Sequence, residues 1–260
     1  MDNSLLLIDI NDGIALLTIN SPKTLNALNS TVLSELECAL YELDRNDAVK
    51  VVVLTGAGDK AFVAGADIKE MAGMNAFEGQ QFGLKGQRVM LMMEKMRKPV
   101  IAAVNGYALG GGLELALACD FIYASEKARL GFPEVTLGII PGFGGTQNLA
   151  RRLGSARASE LIFSGRMIEA SKACTWGIVN EVFAPEELLA KAMETASAIA
   201  SVGSLGVAYA KNAIVNGLNM GKEDGFRYEA SLFGVLFATE DQKEGMGAFV
   251  EKRKAAFKGK

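Results

Sequence analysis

Residues 98–120 read KPVIAAVNGYALGGGLELALACD, and the organisation of the remaining chain follows from them. Pro99 opens a short apolar run through Val104, the pattern of a strand covered on both faces, and Gly110, Gly111 and Gly112 then let the backbone turn sharply into a helix. Strand, glycine turn and helix in that order make a place for an oxygen that gathers negative charge. The first amides of a helix point outward unpaired and carry the positive end of the peptide dipoles. Glu114 stands just inside this helix, between Leu113 and Leu115. Its ordinary role would be a first-turn carboxylate that suits the helix dipole; facing a dry cleft instead, its proton affinity rises and it becomes a proton-transfer group.

Toward the N-terminus, residues 5–10 and 14–19 are strand-like runs around Asn11-Asp12-Gly13, a hairpin signal, because Asp-Gly supplies the positive φ of a tight turn. Asn29, Ser30 and Thr31 offer caps for an amphipathic helix through Asp44, and residues 49–54 form a continuous apolar strand. Residues 77–96 read as a longer, methionine-rich helix. Toward the C-terminus, 121–124 is a buried strand, Pro133 suits the first position of a short helix, and residues 141–146, PGFGGT, form a second glycine-rich turn into a helix. A last strand is expected over 177–182. Helices are then expected over 188–199, 205–215, 222–237 and 239–254. The units recur without a repeat of fixed period, and the helical tail packs on something, such as another subunit.

The chain has 260 residues, half of them apolar, enough for a large core. Twenty-seven Lys and Arg against 30 Asp and Glu leave a net charge of -3, which does not advertise nucleic acid as a partner. No apolar run is long enough to cross a bilayer, and the start, MDNSLLLIDIND, does not read as a secretion signal. Cys38, Cys119 and Cys174 are odd in number and scattered, as free thiols in a reducing compartment are, so a cytoplasmic location is expected. The absence of histidine excludes Ser-His-Asp and Cys-His catalysis and imidazole-dependent zinc sites. Acid and base work falls to carboxylates, Lys, Tyr or Cys.

Residues 51–58, VVVLTGAG, resemble the start of a dinucleotide fingerprint, but the third glycine is missing and no helix follows, so a strand-ending turn is the better reading. No Walker pattern occurs. Taken singly, the triple glycine fits close packing as well as function, and Glu114 and Glu134 fit helix starts. Together, two glycine-rich turns and two glutamates in apolar surroundings point to paired carboxyls that divide acid and base roles.

Four segments, AFVAGADIKEM (61–71), KPVIAAVNGYALGGGLELA (98–116), PEVTLGIIPGFGGTQ (133–147) and DQKEGMGAFVEKRK (241–254), resemble in order the crotonase (enoyl-CoA hydratase/isomerase) superfamily, and within it the hydratases. The resemblance implies an α/β fold, a spiral of ββα turns over residues 1–198, with a C-terminal helical oligomerisation region over 199–260. It further implies trimers, or dimers of trimers. Ala66 and Gly111 would supply the two amides of an oxyanion hole, and Glu114 and Glu134 would grip one water, the first activating it and the second delivering a proton. Gly142 would lie near that water. Lys60, Ala64, Asp67, Ile68 and Lys69 would contact an acyl-CoA thioester, as would Phe233 and Lys252 of the C-terminal region, from the same or a neighbouring subunit. No metal or separate cofactor is implied, since coenzyme A enters with the substrate. Phe132 stands where many hydratases carry glutamine. The implied reaction is hydration of short to medium trans-2-enoyl-CoA. The alternatives are a double-bond isomerase or a thioester hydrolase of the same superfamily, or a non-catalytic RNA-binding or assembly relative.

Overall fold

The computed structural model describes residues 4–260. Strands β1 (Leu6–Asn11) and β2 (Ile14–Ile19) form the expected hairpin, with Asp12 and Gly13 at positive φ in the turn. Helix α1 (Ser30–Arg45), capped by the Asn29 side chain on Val32 N–H, leads to β3 (Val51–Gly56) and β4 (Ala61–Val63). A single helical turn, α2 (Ile68–Met71), precedes α3 (Ala76–Lys95), which begins with a reciprocal cap between Asn75 and Glu78. Then follow β5 (Val100–Val104), β6 (Tyr107–Leu109), α4 (Gly111–Leu117), β7 (Phe121–Ser125) and β8 (Arg129–Gly131). A 3-10 turn spans Pro133–Leu137, with Pro133 at its first position. The rest is α5 (Gly145–Leu153), α6 (Ser155–Ser164), β9 (Met167–Glu169), α7 (Ala170–Trp176), β10 (Glu181–Phe183), α8 (Leu188–Ala200), α9 (Ser204–Gly217), α10 (Lys222–Leu236) and α11 (Glu240–Val250).

The strands form two sheets, one ordered β1-β2-β3-β5-β7-β10 and the other β4-β6-β8-β9. Three successive turns of the chain each give one strand to the larger sheet (β3, β5, β7) and the next to the smaller (β4, β6, β8), which makes the structure a spiral. Within each sheet these three strands run parallel. Both faces are covered at the centre of the larger sheet, so β3 and β5 are buried and apolar, whereas the edge strand β1 is exposed beyond Leu6. On β3, Val52 and Leu54 face the main core, while Val51 and Val53 face α8 through its stripe Leu188, Ala192, Ala196 and Ala200.

The tail continues from α8 into α9 through a bend of 107°, and no single described helix is long and apolar enough to cross a membrane. Lys211 of α9, 6% exposed, reaches into the body, where its ammonium donates to Asp120 Oδ2 at 2.8 Å and to the carbonyls of Met93 and Lys98 at 2.8 and 3.2 Å.

Three sequence expectations need correction. The glycine turn does not follow the buried strand directly: β6 intervenes, too short to show a period, and pairs with β4 and β8. Residues 177–180 are a turn in which Gly177 caps α7 at φ 87, so the last strand begins only at Glu181. The final helix stops at Val250 rather than reaching 254. Lys252 takes a left-handed φ of 55, and Arg253 folds back onto Glu244 with bonds of 2.6 and 2.9 Å.

Candidate active site

Strands β4, β6 and β8 lie side by side in the smaller sheet, and a functional segment leaves the C-terminal end of each. After β4 come Ala64, Gly65 and Ala66; after β6, Gly110 and α4; after β8, Phe132 and the turn that carries Glu134. Glycines bring these segments together. Gly110 has φ 48 and ψ −123, a conformation for glycine, and a Cβ there would stand 2.5 Å from Glu134 Oε1. A Cβ on Gly112 would overlap the Val63 carbonyl, so α4 can sit against β4 only with glycine there. A Cβ on Gly111 would lie 3.4 Å from Ala66 N, which places the two backbone amides beside each other. Neither amide donates to a protein acceptor among the described residues.

Glu114, 2% exposed, has its Oε1 held by the N–H groups of Phe143 at 2.8 Å and Gly145 at 2.7 Å, both from the second glycine-rich turn. Glu134 is 9% exposed, and its Oε2 is buried with no hydrogen-bond partner among the described residues. Both carboxyls line a cavity of about 620 Å³, together with Ala66, Gly111 and an apolar wall that includes Met71, Met74, Phe82, Leu137, Ile139 and Ile140. Such an apolar cleft with a few convergent polar groups is the usual form of a small-molecule site.

Burial pushes Glu114 up to about 8; the donors at Gly145 and Phe143 pull it down, and the neighbouring Glu134 pushes it up. Burial likewise pushes Glu134 up to about 7. Both carboxyls therefore bind a proton more readily than an exposed glutamate does. Glu114 is the more deeply buried, but it has two amide donors where Glu134 Oε2 has none, and these donors favour the charge on Glu114.

A carboxyl with a raised native pKa gives stability that is complete below its unfolded value of 4.5 and lost as pH rises through about 8. Glu114→Gln is therefore expected to gain on the wild type as pH rises from 5 to 9, by about 3 kcal/mol or several degrees in melting temperature. Thermal unfolding of both proteins at the two pH values checks this. A difference that stays constant with pH would contradict the burial-driven shift.

The family model described as enoyl-CoA hydratase/isomerase matches residues 9–260. The chain belongs to the enoyl-CoA hydratase/isomerase family. It is 50% identical over 241 residues to a short-chain-enoyl-CoA hydratase of Clostridium acetobutylicum, covering 93% of this chain and 92% of that one. To a crotonyl-CoA hydratase of Syntrophomonas wolfei it is 48% identical over 252 residues, with 97% of each chain covered. The crystal structure of an enoyl-CoA hydratase from Bacillus anthracis superposes with a TM-score of 0.96 at 43% identity, covering 99% of this chain and 100% of that one.

For this family member, the expected site residues fall into two groups. Ala64, Ala66, Ile68, Gly111, Glu114, Glu134 and Gly142 all line the one cavity. Lys60 instead lines a separate cavity of about 280 Å³ between residues 22–26 and 57–61. Asp67 caps α2 by accepting Lys69 N–H at 2.9 Å, and the Lys69 side chain is exposed. Phe233, 61% exposed on α10, packs against Phe237, and Lys252 lies exposed beyond α11; neither lines the cavity. Phe132 is wholly buried and packs under Gly145, where a Cβ would meet its ring at 2.7 Å, so it backs the loop that holds Glu114 and does not line the cavity. The amides of Phe143 and Gly145 were not singled out from sequence. The glycine-rich turn that contains them was the available signal.

Proposed function

We propose that the protein catalyses the reversible syn hydration of short- to medium-chain trans-2-enoyl-CoA to 3-hydroxyacyl-CoA. The observation that carries this reading is the pair of buried carboxyls facing one apolar cavity beside two adjacent unpaired amides. The thioester carbonyl oxygen accepts from Ala66 N–H and Gly111 N–H, an oxyanion hole whose donors favour the enolate-like transition state. A water between Glu114 and Glu134 gives a proton to Glu114 as its oxygen adds to the β carbon, and Glu134 gives a proton to the α carbon. Dehydration uses the same groups in reverse. An enoyl thioester is already an electrophile, so polarisation, a positioned water and a proton suffice, and coenzyme A enters only as part of the substrate.

Lys60 and Lys69 suit phosphate groups of that substrate, and Lys252 and Phe233 suit its adenosine end across a contact between copies. Phe226, Phe233, Phe249 and Val250 are 61–85% exposed on α10 and α11, which supports a homo-oligomer, a trimer or a dimer of trimers, that covers the tail. The cytoplasm is the location that fits its three free thiols. Loss of crotonyl-CoA absorbance on adding purified protein tests the reaction. A product heavier by one water, without free CoA, distinguishes hydration from isomerisation and thioester hydrolysis.

Helix α3 lines the cavity with Gly79 and Gly83, which supports a role for it in limiting chain length. A Cβ on Gly79 meets nothing within 4 Å, so a side chain there would occupy open space. Gly79→Leu is expected to lower kcat/KM for 2-octenoyl-CoA about tenfold relative to crotonyl-CoA. A panel of enoyl-CoA chain lengths checks this, and an unchanged ratio would remove Gly79 from the acyl wall.

A further inference from the structure

Helix α3 also makes a contact outside the cavity. Gln87 Nε2 donates to the Gly142 carbonyl at 2.9 Å, and Gln87 does not line the cavity. That carbonyl belongs to the same peptide unit as the Phe143 N–H, which donates to Glu114 Oε1 at 2.8 Å. A peptide unit is planar, so fixing its oxygen fixes the direction of its N–H, and a hydrogen bond to the oxygen strengthens the N–H as a donor. Two other α3 residues hold the same segment. A Cβ on Gly86 would overlap the Phe143 ring, which is seated there, and Phe82 meets that ring edge-on at 5.3 Å.

We propose that Gln87 is a positioning residue for Glu114, acting through the Gly142–Phe143 peptide. It holds the donor that keeps Glu114 aimed at the water and favours its ionised form. The inference rests on the hydration reading. Among the described residues, the titratable group facing Glu114 is Glu134, from the 3-10 turn. The β4–α2 segment, α3 and α5 present Ala66, Phe82, Gly83 and Gly145 there, none of them charged. Weakening a bond to the ionised form raises proton affinity, so loss of the Gln87 donor moves the acid limb of the rate profile upward.

The test compares Gln87→Met, of similar length without a donor, with Gln87→Lys, which restores one, using crotonyl-CoA. For Gln87→Met, kcat is expected to fall about tenfold with KM within about twofold, and the acid limb of kcat to rise by about half a pH unit. Gln87→Lys should recover most of kcat and bring the acid limb back to the wild-type position or below it, because its ammonium restores the donor and also favours the ionised carboxylate. A Gln87→Met enzyme that matches wild type, or a Gln87→Lys enzyme that loses as much with the same profile, would overturn the proposal. Titration of the Glu114 carboxyl by carbon-13 NMR, assigned through Glu114→Gln, gives a readout independent of turnover and should show the same upward shift. Wild type inert toward crotonyl-CoA would overturn the hydration reading instead, and an unshifted Glu114 titration would overturn this one.

Discussion

Glu114→Gln and Glu134→Gln are each expected to lower kcat for crotonyl-CoA hydration by roughly 10²–10⁴-fold, the range for loss of a positioned acid or base. Glutamine keeps the shape of the side chain, and at 114 its carbonyl can still accept from Phe143 and Gly145, so the fold and the cavity should survive. What is lost is the proton. If the two glutamates share one water as proposed, they act as a unit, and the double variant should fall only slightly below the worse single one. KM should move little, since in the proposed mechanism the thioester oxygen is received by the amides of Ala66 and Gly111, which neither substitution changes. Steady-state kinetics on the three variants checks this. Activity within threefold of wild type in either single variant would exclude that carboxyl from the chemistry, whereas multiplicative losses would mean that the two act in separate steps.

The largest effect on stability is expected at Lys211. Its ammonium is buried at the junction of α9 with the body, and Asp120, its partner, also accepts the Val100 N–H at 2.7 Å. Removing one member of a buried pair leaves the other charge and its dipoles uncompensated, so Lys211→Met should lose about 3–5 kcal/mol. Urea denaturation measures this. Asp120→Asn in the same background should recover part of the loss by removing the stranded charge, and a recovery of zero would mean that the two Lys211 bonds to carbonyls, at Met93 and Lys98, carry the effect. The wild-type pair ties the first helix of the tail to residues on either side of α4, so the same variant should loosen the tail.

Both cavity glutamates are legible because charge is conspicuous in apolar surroundings and a glycine-rich turn stands next to each. The hairpin, α1 and α3 were legible from turn chemistry, caps and apolar spacing. β6 was not, because three residues after Asn105-Gly106 are fewer than two periods of a strand, and its role as the middle of β4-β6-β8 is a matter of non-local pairing. Lys211 could not be recognised as buried, since one lysine on a helix ordinarily faces water and only its partners 91 to 118 residues away make burial tolerable. Phe132 stands two residues before Glu134 in sequence, but the 3-10 turn brings Glu134 to the cavity and leaves Phe132 beneath Gly145.

The parallel set β4-β6-β8 also has a consequence for how activity is acquired during folding. Ala66, Gly111 and Glu134 come from three successive turns of the spiral, and no two of these strands are joined by a local hairpin. Each must find its neighbour across an intervening helix and a strand of the other sheet, which is slow, high-contact-order pairing. Helical signal should therefore return early in refolding, while competence for the reaction arrives only with the last of the three dockings, and a nascent chain that ends before β8 is catalytically silent however well its first turns have formed.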